Sequence, residues 1–417
     1  MDEAASESGP PRLPWARRTF AALAHRNYRL FFIGMAISSI GSWARSAGQQ
    51  QLVWELTRDE RWLGWVGSAS LLAVALATLP SGAFADRHDR RRALMGLTLV
   101  QATLSGTLAL LTGLGAITAP VVLGLAVALG LAAGAEMPFR QSFLVELVGR
   151  DGLRNAVALN SIMFNLPLAI GPAVAGEIMA HTGLCWVFAF DAASFLAAFV
   201  GFARIDVAPR PAGPAHESMA ASLLGGARHV ARHREPRAIL ALLSAAMVLG
   251  WAYTSQLAAY AERDLGVDAR GYGFLYSSSG IGACLGAIFV AGRTVLHPRG
   301  WLLRSLVGMA VALLVMGAFP VYGVAYGARV LAGFSMICFF AVGNSTVQVG
   351  LPDEVRGRVM ALWSFTFSCS LGLGQLLFGF AARHTSVPTT FAAGGAALFA
   401  VVVALAVAAG ARRSARA

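Results

Sequence analysis

The sequence contains no lysine, so its 33 basic residues are all arginine, and only 21 residues are acidic. Charged residues make up 13% of the chain, against roughly 25% in soluble domains. The four cysteines lie in apolar segments without metal-ligand spacing, which argues against a disulfide framework and against a metal site. Phosphate-binding loops, nucleophile triads and metal-ligand clusters are also absent from the sequence. It therefore argues against an enzyme, a cofactor-dependent protein and an ATP-driven pump.

Long apolar runs are what the sequence does have, and hydrophobic residues form 57% of its 417 residues. About 20 such residues cross the hydrocarbon core of a bilayer as one helix. The runs predict an all-α polytopic membrane protein with twelve transmembrane helices. The predicted spans are residues 29–54, 63–85, 93–116, 119–147, 155–180, 184–203, 238–261, 271–292, 300–319, 321–349, 359–382 and 388–410.

Arginine is unevenly distributed between alternate loops. With a cytoplasmic N-terminus, the cytoplasmic segments hold 25 arginines and the external loops hold five, while Arg45, Arg140 and Arg329 fall inside spans. Basic residues concentrate on the cytoplasmic side of membrane proteins. The distribution therefore predicts that both termini are cytoplasmic. It also explains the net charge of +12 without a nucleic-acid partner.

A polar, proline-containing segment divides the predicted spans six and six, and its residues 219–233 predict an amphipathic surface helix. Asp151, Arg154 and Val157 before the fifth span recur 202 residues later before the eleventh. Two parallel six-helix repeats are an arrangement of alternating-access transporters. The predicted organisation is a cytoplasmic tail at 1–28, a bundle at 29–203, a cytoplasmic linker at 204–237, a bundle at 238–410 and a cytoplasmic tail at 411–417.

The charged stretch between the second and third spans resembles the loop signature G-x-L-a-D-R-x-G-R-[RK] of the major facilitator superfamily. Phe84 and Asp89 depart from that signature, at its aliphatic position and at its second glycine. The matching residues are Gly82, Asp86, Arg87, Arg90 and Arg91. The resemblance implies a twelve-helix fold whose two halves move against each other.

Further segments resemble the drug- and siderophore-exporting branch of that superfamily, and the likeness extends over residues 25–410. They are residues 26–31 (RNYRLF), 40–43 (IGSW), 137–143 (MPFRQSF), 154–160 (RNAVALN), 171–172 (GP) and 356–360 (RGRVM). In such proteins the loop would act as a conformational gate, with its acid on a helix N-terminus and its arginines on helix C-termini or lipid phosphates. Arg154 and Arg356 join the gate candidates. The alternative is a loop whose positive charge only sets topology.

The fifth predicted span contains two prolines and two glycines at close spacing. Proline kinks a helix and glycine allows a close helix approach, so the pattern predicts a kinked interface helix. It partly resembles the exporter motif G-x3-G-P-x2-G-G, although Asn165 and Pro167 stand where glycine is expected and Glu177 replaces the last glycine. The motif residues are Pro167, Gly171, Pro172 and Gly176.

Ionisable residues inside spans are costly and are functional candidates by default. Glu136 and Arg140 are four residues apart on one helix face, which fits either a self-neutralised pair or a proton carrier at Glu136. Arg45 either binds an anionic substrate, influences Glu136, or reaches the external face. For Asp191, the favoured prediction is a structural hydrogen bond. Arg329 begins an R-x3-G element that resembles one found in the fourth span of proton-driven relatives, where this chain has Val127.

Aromatic and small polar residues fall on the helices that line the cavity in this superfamily. Apolar cavities with a few polar groups suit amphiphilic ligands, although each aromatic also fits lipid-facing packing. The candidates are Gln49, Asn165, Trp251, Tyr253, Gln256, Tyr276, Asn344, Gln348, Trp363 and Gln375.

Together these features predict a monomeric secondary transporter of the bacterial inner membrane. It would export drug-like or siderophore-like small molecules by alternating access, driven by protons. An importer of a small polar metabolite and a transport-inactive scaffold or receptor are the alternatives. The intact gate residues Asp86 and Arg90 favour a moving protein over the last of these.

Overall fold

The computed structural model describes residues 21–85, 88–207, 219–293 and 297–414, and these residues are almost entirely helical. A short 3-10 turn at Ala21–Ala24 precedes the first long helix. The helices are α1 (Arg26–Thr57), α2 (Glu60–Ala85), α3 (Arg90–Gly113), α4 (Ala119–His181), α5 (Leu184–Ala203), α6 (Met219–Arg232), α7 (Arg234–Asp264), α8 (Ala269–Ala291), α9 (Pro298–Ala318), α10 (Tyr322–Val349), α11 (Asp353–His384) and α12 (Val387–Ser414).

Nine helices in the described part of the chain are long and apolar enough to cross a bilayer. They include α3, the first arm of α4, α5 and all of the long helices from α7 onward. The chain is therefore a multi-pass membrane protein, while the predicted total of twelve transmembrane helices stays a prediction.

Aspartate caps set where several helices begin. Asp89 lies just before α3, and its carboxylate accepts the backbone N–H of Arg92 at 3.0 Å. Asp268 does the same for Gly271 of α8 at 2.8 Å. A side-chain acceptor at this position satisfies one of the free N–H groups of the first helical turn. Asp89, which departs from the superfamily loop signature, thus has a local role as a helix cap.

Helix α4 joins the predicted spans at 119–147 and 155–180, because its backbone is helical throughout Ala119–His181, so the loop predicted between the two spans is wrong. A straight helix of that length would be about 95 Å long, roughly three times the hydrocarbon thickness. Its first arm runs along α2 in the same direction, whereas its second arm runs antiparallel to α8. Since α2 and α8 both begin beside the end of α7, the two arms run in opposite directions.

Two helix pairs make the most extensive contacts between the N-terminal half (α1–α5) and the C-terminal half (α7–α12). They are α2 with α11, and the second arm of α4 with α8. A Cβ atom added to Gly273 would lie 2.6 Å from Gly176 Cα, and one added to Gly64 would lie 2.7 Å from the Gln375 carbonyl oxygen. The backbones thus approach each other directly, as small residues permit in membrane helices.

Helix α7 is irregular where the sequence predicted a regular span. Two π-helical segments, Ala246–Trp251 and Tyr260–Asp264, flank a 3-10 segment at Ala252–Gln256. The sequence contains no proline here that would signal the change. Departures of this kind concentrate at functional sites, and this one lies at the junction of the halves.

Helix α6 lies across the start of α11. Gly225 and Gly226 bring its backbone against Arg358, and Val230 is buried beneath it. The linker between the halves is thereby anchored at one end of the bundle.

We expect Gly282→Ala to destabilise the protein, because the new Cβ would overlap the carbonyl oxygen of Val330 where α8 meets α10. Overpacking of this kind costs about 1–3 kcal/mol. Gly106→Ala is the matched control, since no atom lies within 4 Å of its added Cβ and alanine favours a helix by up to about 1 kcal/mol. Thermal unfolding in detergent should separate the two variants, and equal midpoints would contradict the close α8–α10 packing.

Candidate functional site

Two ion pairs join the α1–α2 turn to the end of α7. Arg58 pairs with Glu262, and Glu60 at the start of α2 pairs with Arg263. Both guanidinium groups also lie over the ring of Trp54, at 5.6 and 5.9 Å from its centroid. Each pair therefore connects the N-terminal half to the C-terminal half.

A third ion pair connects α4 to α8, with Arg270 Nε 2.7 Å from Glu177 Oε1. The end of the bundle that carries the three pairs is called the Arg58 face, and its residues are Arg58, Glu60, Glu177, Glu262, Arg263 and Arg270. Exposed ion pairs contribute at most about 1 kcal/mol each. The Glu60 carboxylate is only 3% exposed, so its pair is the strongest of the three candidates for holding this end closed.

Sequence reasoning did not find these cross-half pairs. It assigned Arg58, Arg263 and Arg270 to loops and treated Glu177 as an irregularity of a glycine motif. A usable signal was present, because both Arg58-Asp59-Glu60 and Glu262-Arg263-Asp264 place opposite charges two residues or fewer apart at the ends of spans. Predicting that these charges pair with each other requires knowing that α2 and α7 are neighbours, and a single sequence does not contain that information.

The opposite end of the bundle, called the Arg90 face, carries Arg90, Arg91 and Arg356. Arg90 pairs with Glu146 of α4 at 3.1 Å. Arg91 donates to the carbonyl oxygens of Phe202 and Ala203, at 2.8 and 2.6 Å, and so binds the last turn of α5. Positive charge at a helix C-terminus stabilises that helix.

Arg356 makes a similar contact in the C-terminal half. Its guanidinium donates to the carbonyl oxygen of Gln348 in the last turn of α10 and to that of Leu351 just beyond α10, at 3.2 and 3.3 Å. Asp86 and Arg87 lie outside the described residues, as do the surroundings of Gly82 and the side chain of Arg154. The gate role of the whole set stays a prediction.

A buried polar group in the N-terminal half centres on Asp191 of α5, which is fully buried. Arg45 Nε lies 2.8 Å from Asp191 Oδ2, and Ser105 of α3 donates to the same oxygen at 2.6 Å. Arg45 also donates to Gln49 at 3.2 Å. Asp191 thus supplies a counter-charge to Arg45 in this structure, and the roles predicted for Arg45 stay predictions.

Glu136 of α4 contacts α3 one helical turn away from Ser105. Gln101 donates to Glu136 Oε2 at 2.6 Å, while the predicted partner Arg140 is 3.9 Å distant. Gln101 and Ser105 are four residues apart on one face of α3, so this helix connects the two buried carboxylates. The Asp191 Oδ1 atom has no hydrogen-bond donor among the described residues.

Arg329 of α10 lies in the C-terminal half and is fully buried. It donates to the carbonyl oxygens of Leu275 and Tyr276, at 2.8 and 3.0 Å, and to Ser279 Oγ at 2.9 Å. Its guanidinium lies over the rings of Tyr253 and Tyr276, at 5.4 and 5.5 Å. No carboxylate of the described residues pairs with it.

The predicted cavity residues divide into two groups. The fully or nearly buried residues pack between helices. One of them, Gln256 of the C-terminal half, donates to the carbonyl oxygen of Glu60 in the N-terminal half at 3.2 Å. Asn344 and Gln348 hydrogen-bond each other near the Arg90 face. The buried members are Gln49, Tyr253, Gln256, Tyr276, Trp363 and Gln375, and the more exposed members are Asn165, Trp251, Asn344 and Gln348.

The predicted kink motif lies on the second arm of α4, where the helix continues through Pro167 and Pro172. Gly171 meets Trp43 of α1, and Gly176 meets Gly273 of α8. The two glycines therefore face different neighbours, one in each half.

We expect Glu60→Gln to open the Arg58 face, because it removes a mostly buried carboxylate from its pair with Arg263. A loss of about 1–2 kcal/mol would change the ratio of closed to open molecules about 5- to 30-fold. Spin labels at Leu114→Cys and His384→Cys, in a background without the four native cysteines, would report the distance between the halves.

Arg61→Gln is the matched control, because Arg61 pairs with Asp59 of its own half at 2.7 Å. Its distance distribution should equal that of the parent protein. An unchanged distribution in Glu60→Gln would show that the ion pairs do not hold the halves together.

Residues 17–414 match a family model described as a transmembrane secretion effector. The enterobactin exporter EntS of Shigella flexneri is 26% identical over 251 residues, and that of Shigella boydii is 27% identical over the same length. These alignments cover 60% of this chain and 59% of each exporter, so the chain spans less than two thirds of the length of these relatives.

Solved transporter structures share the fold. A POT family transporter in complex with 5-aminolevulinic acid superposes with a TM-score of 0.73 at 12% identity, over 91% of this chain and 95% of that one. A bacterial homologue of the human lysosomal transporter Spinster, inward-facing and unoccupied, gives 0.68 at 15% identity and covers 96% of each chain. The match over nearly the whole sequence identifies the chain as a member of the transmembrane secretion effector family, within the major facilitator superfamily.

Proposed function

We propose that the protein is a proton-coupled exporter of drug-like or siderophore-like small molecules. The observation that carries the proposal is a set of three ion pairs between the two halves. All six partners lie at the Arg58 face. Ion pairs that bridge the two halves can break while each half stays intact. Alternating access needs such contacts.

The proposed orientation puts the Arg58 face outside. The arginine-rich segments then lie in the cytoplasm, with both termini and the linker at 204–237 on that side. Twelve spans, divided as 29–203 and 238–410, complete the arrangement, and α4 supplies two of them through its two arms. The membrane would be the bacterial inner membrane and the working unit a monomer.

Asp191 is the preferred proton carrier. It is fully buried, one of its oxygens has no donor among the described residues, and its neighbour Arg45 supplies a compensating charge. A buried acid is costly when charged unless it is paired, so gain or loss of its proton alters how strongly α5 holds α1. Glu136 is the second candidate, and Gln101 and Ser105 lie between the two.

The substrate class follows from the similarity to enterobactin exporters and from the chemistry of the bundle. Apolar helices with a few buried polar groups bind amphiphilic molecules better than small, highly charged nutrients. An importer of a small polar metabolite would need more charged cavity residues than the described helices provide. Export is therefore preferred over import and over a scaffold.

Proteoliposomes containing the purified protein test the proposal directly. An imposed proton gradient should drive accumulation of an amphiphilic fluorescent substrate such as the anion 8-anilinonaphthalene-1-sulfonate, and collapse of the gradient by a protonophore should stop it. Transport that is insensitive to the protonophore would contradict proton coupling. An inactive protein across a panel of drugs and siderophores would favour the scaffold alternative.

We expect Asp191→Asn to uncouple transport from the proton gradient, because the amide keeps the size of the side chain but cannot exchange a proton. Counterflow of substrate between equal concentrations should persist, since it needs no proton. Asp206→Asn is the matched control on an exposed carboxylate after α5. Gradient-driven transport at the wild-type rate in Asp191→Asn would exclude Asp191 and leave Glu136 for the same test.

A further inference from the structure

We propose that Arg329 forms a binding site for an aromatic anion, a carboxylate or phenolate carried on a conjugated ring. The inference rests on the proposed function, since it names the class of molecule that the pathway would accept. The proposed site lies on α10 in the C-terminal half, whereas the sequence offered Arg45 in the N-terminal half as one candidate for binding an anion.

The charge at Arg329 is uncompensated among the described residues. The guanidinium is fully buried, and its hydrogen bonds within the described part of the chain go to carbonyl oxygens and a hydroxyl, with no carboxylate among them. Arg45 is different, because Asp191 at 2.8 Å neutralises it. Burying a lone charge is strongly unfavourable unless it is paired and hydrogen-bonded. An anionic ligand would supply the missing charge.

The hydrogen bonds of Arg329 are also incomplete. Carbonyl oxygens and a serine hydroxyl of α8 occupy Nε and Nη2, whereas Nη1 has no acceptor among the described residues. The hydroxyl of Tyr253, whose ring lies 5.4 Å from the guanidinium, is likewise buried without a partner. Two donors on different helices thus remain available in one buried region, and a bond from a charged donor is the stronger kind.

The surroundings favour a flat ring over a small inorganic ion. The rings of Tyr253 of α7 and Tyr276 of α8 flank the guanidinium, with centroids 5.4 and 5.5 Å from its carbon, so a ligand bound to the guanidinium would lie beside two aromatic side chains. Aromatic rings stack or meet edge to face at similar spacing. An anion attached to a conjugated ring would satisfy the charge and the tyrosine rings together.

The site lies at the boundary of the halves, which explains how a ligand could enter. Tyr276 interacts with Ser46 and Gln50 of α1, and the Tyr272 hydroxyl donates to the Ala47 carbonyl oxygen at 3.1 Å. Separation of α1 from α8 would uncover Tyr276 and the guanidinium behind it. The irregular segment of α7 that carries Tyr253 forms the opposite wall.

A structural brace is the competing role, because Arg329 ties α10 to α8. A brace depends on hydrogen bonds and shape, and it predicts no preference for a free anion. A binding site predicts such a preference in the wild-type protein itself. The comparison therefore does not depend on whether any variant folds.

Equilibrium dialysis with radiolabelled salicylate, against the full chain in phosphatidylcholine nanodiscs, tests the proposal. Salicylamide is the neutral counterpart of nearly the same shape. We expect saturable binding of salicylate that is at least about tenfold tighter than that of salicylamide. Equal affinities for the two, or no saturable binding of salicylate, would overturn the proposal.

Variants then test whether Arg329 is the residue responsible for the preference for salicylate over salicylamide. Arg329→Gln should lose it, Arg329→Lys should retain part of it because the charge remains, and Arg304→Gln at an exposed site of α9 should keep it in full. A folded Arg329→Gln protein that still prefers salicylate would also overturn the proposal. Dialysis needs no gradient, so failed binding with intact transport counts against this site only, and failed transport with intact binding counts against the proposed function only.

Discussion

Direct backbone contact between the two halves is the constraint on which the rest of the structure depends. In a bilayer the hydrophobic effect does not drive helices together, so association relies on close packing and on polar contacts. Gly176 against Gly273, and Gly64 against the backbone of α11, bring the halves within van der Waals distance. That approach places the charged residues of the Arg58 face opposite one another, and it brings α1 against the tyrosines of α8.

Polar contacts in the molecule are of two kinds, those within one half and those between the two halves. Those that Arg90 makes with Glu146 and Arg91 makes with the end of α5 stay within the N-terminal half. Those of Glu60 and Glu177 cross from one half to the other. Contacts of the first kind keep each bundle rigid, and those of the second kind are the ones that a rocking motion would break. The same chemistry thus serves stability at one end and conformational change at the other.

The class of protein and the positions of most helices could be predicted from the sequence, because apolar run length and arginine distribution depend on local composition alone. Asp191 shows where that reasoning stops. Its helix was identified, but its pairing with Arg45 joins positions far apart in the chain and so needed the packing of α1 against α5. The π and 3-10 segments of α7 carry no proline or other local signal. The unbroken backbone of α4 was missed because charged residues near 150 were interpreted as a loop.

The Arg45–Asp191 pair has a further consequence for the energetics of a transport cycle. A guanidinium stays protonated at all physiological pH values, so the pair has only two charge states, neutral and singly positive, and the proton on Asp191 selects between them. Exchange of one incoming proton for one outgoing singly charged anion would move two elementary charges across the membrane. Each such charge contributes about 2.3 kcal/mol per 100 mV of membrane potential. Export would then be electrogenic and would continue on membrane potential alone, even where the pH on the two sides is equal.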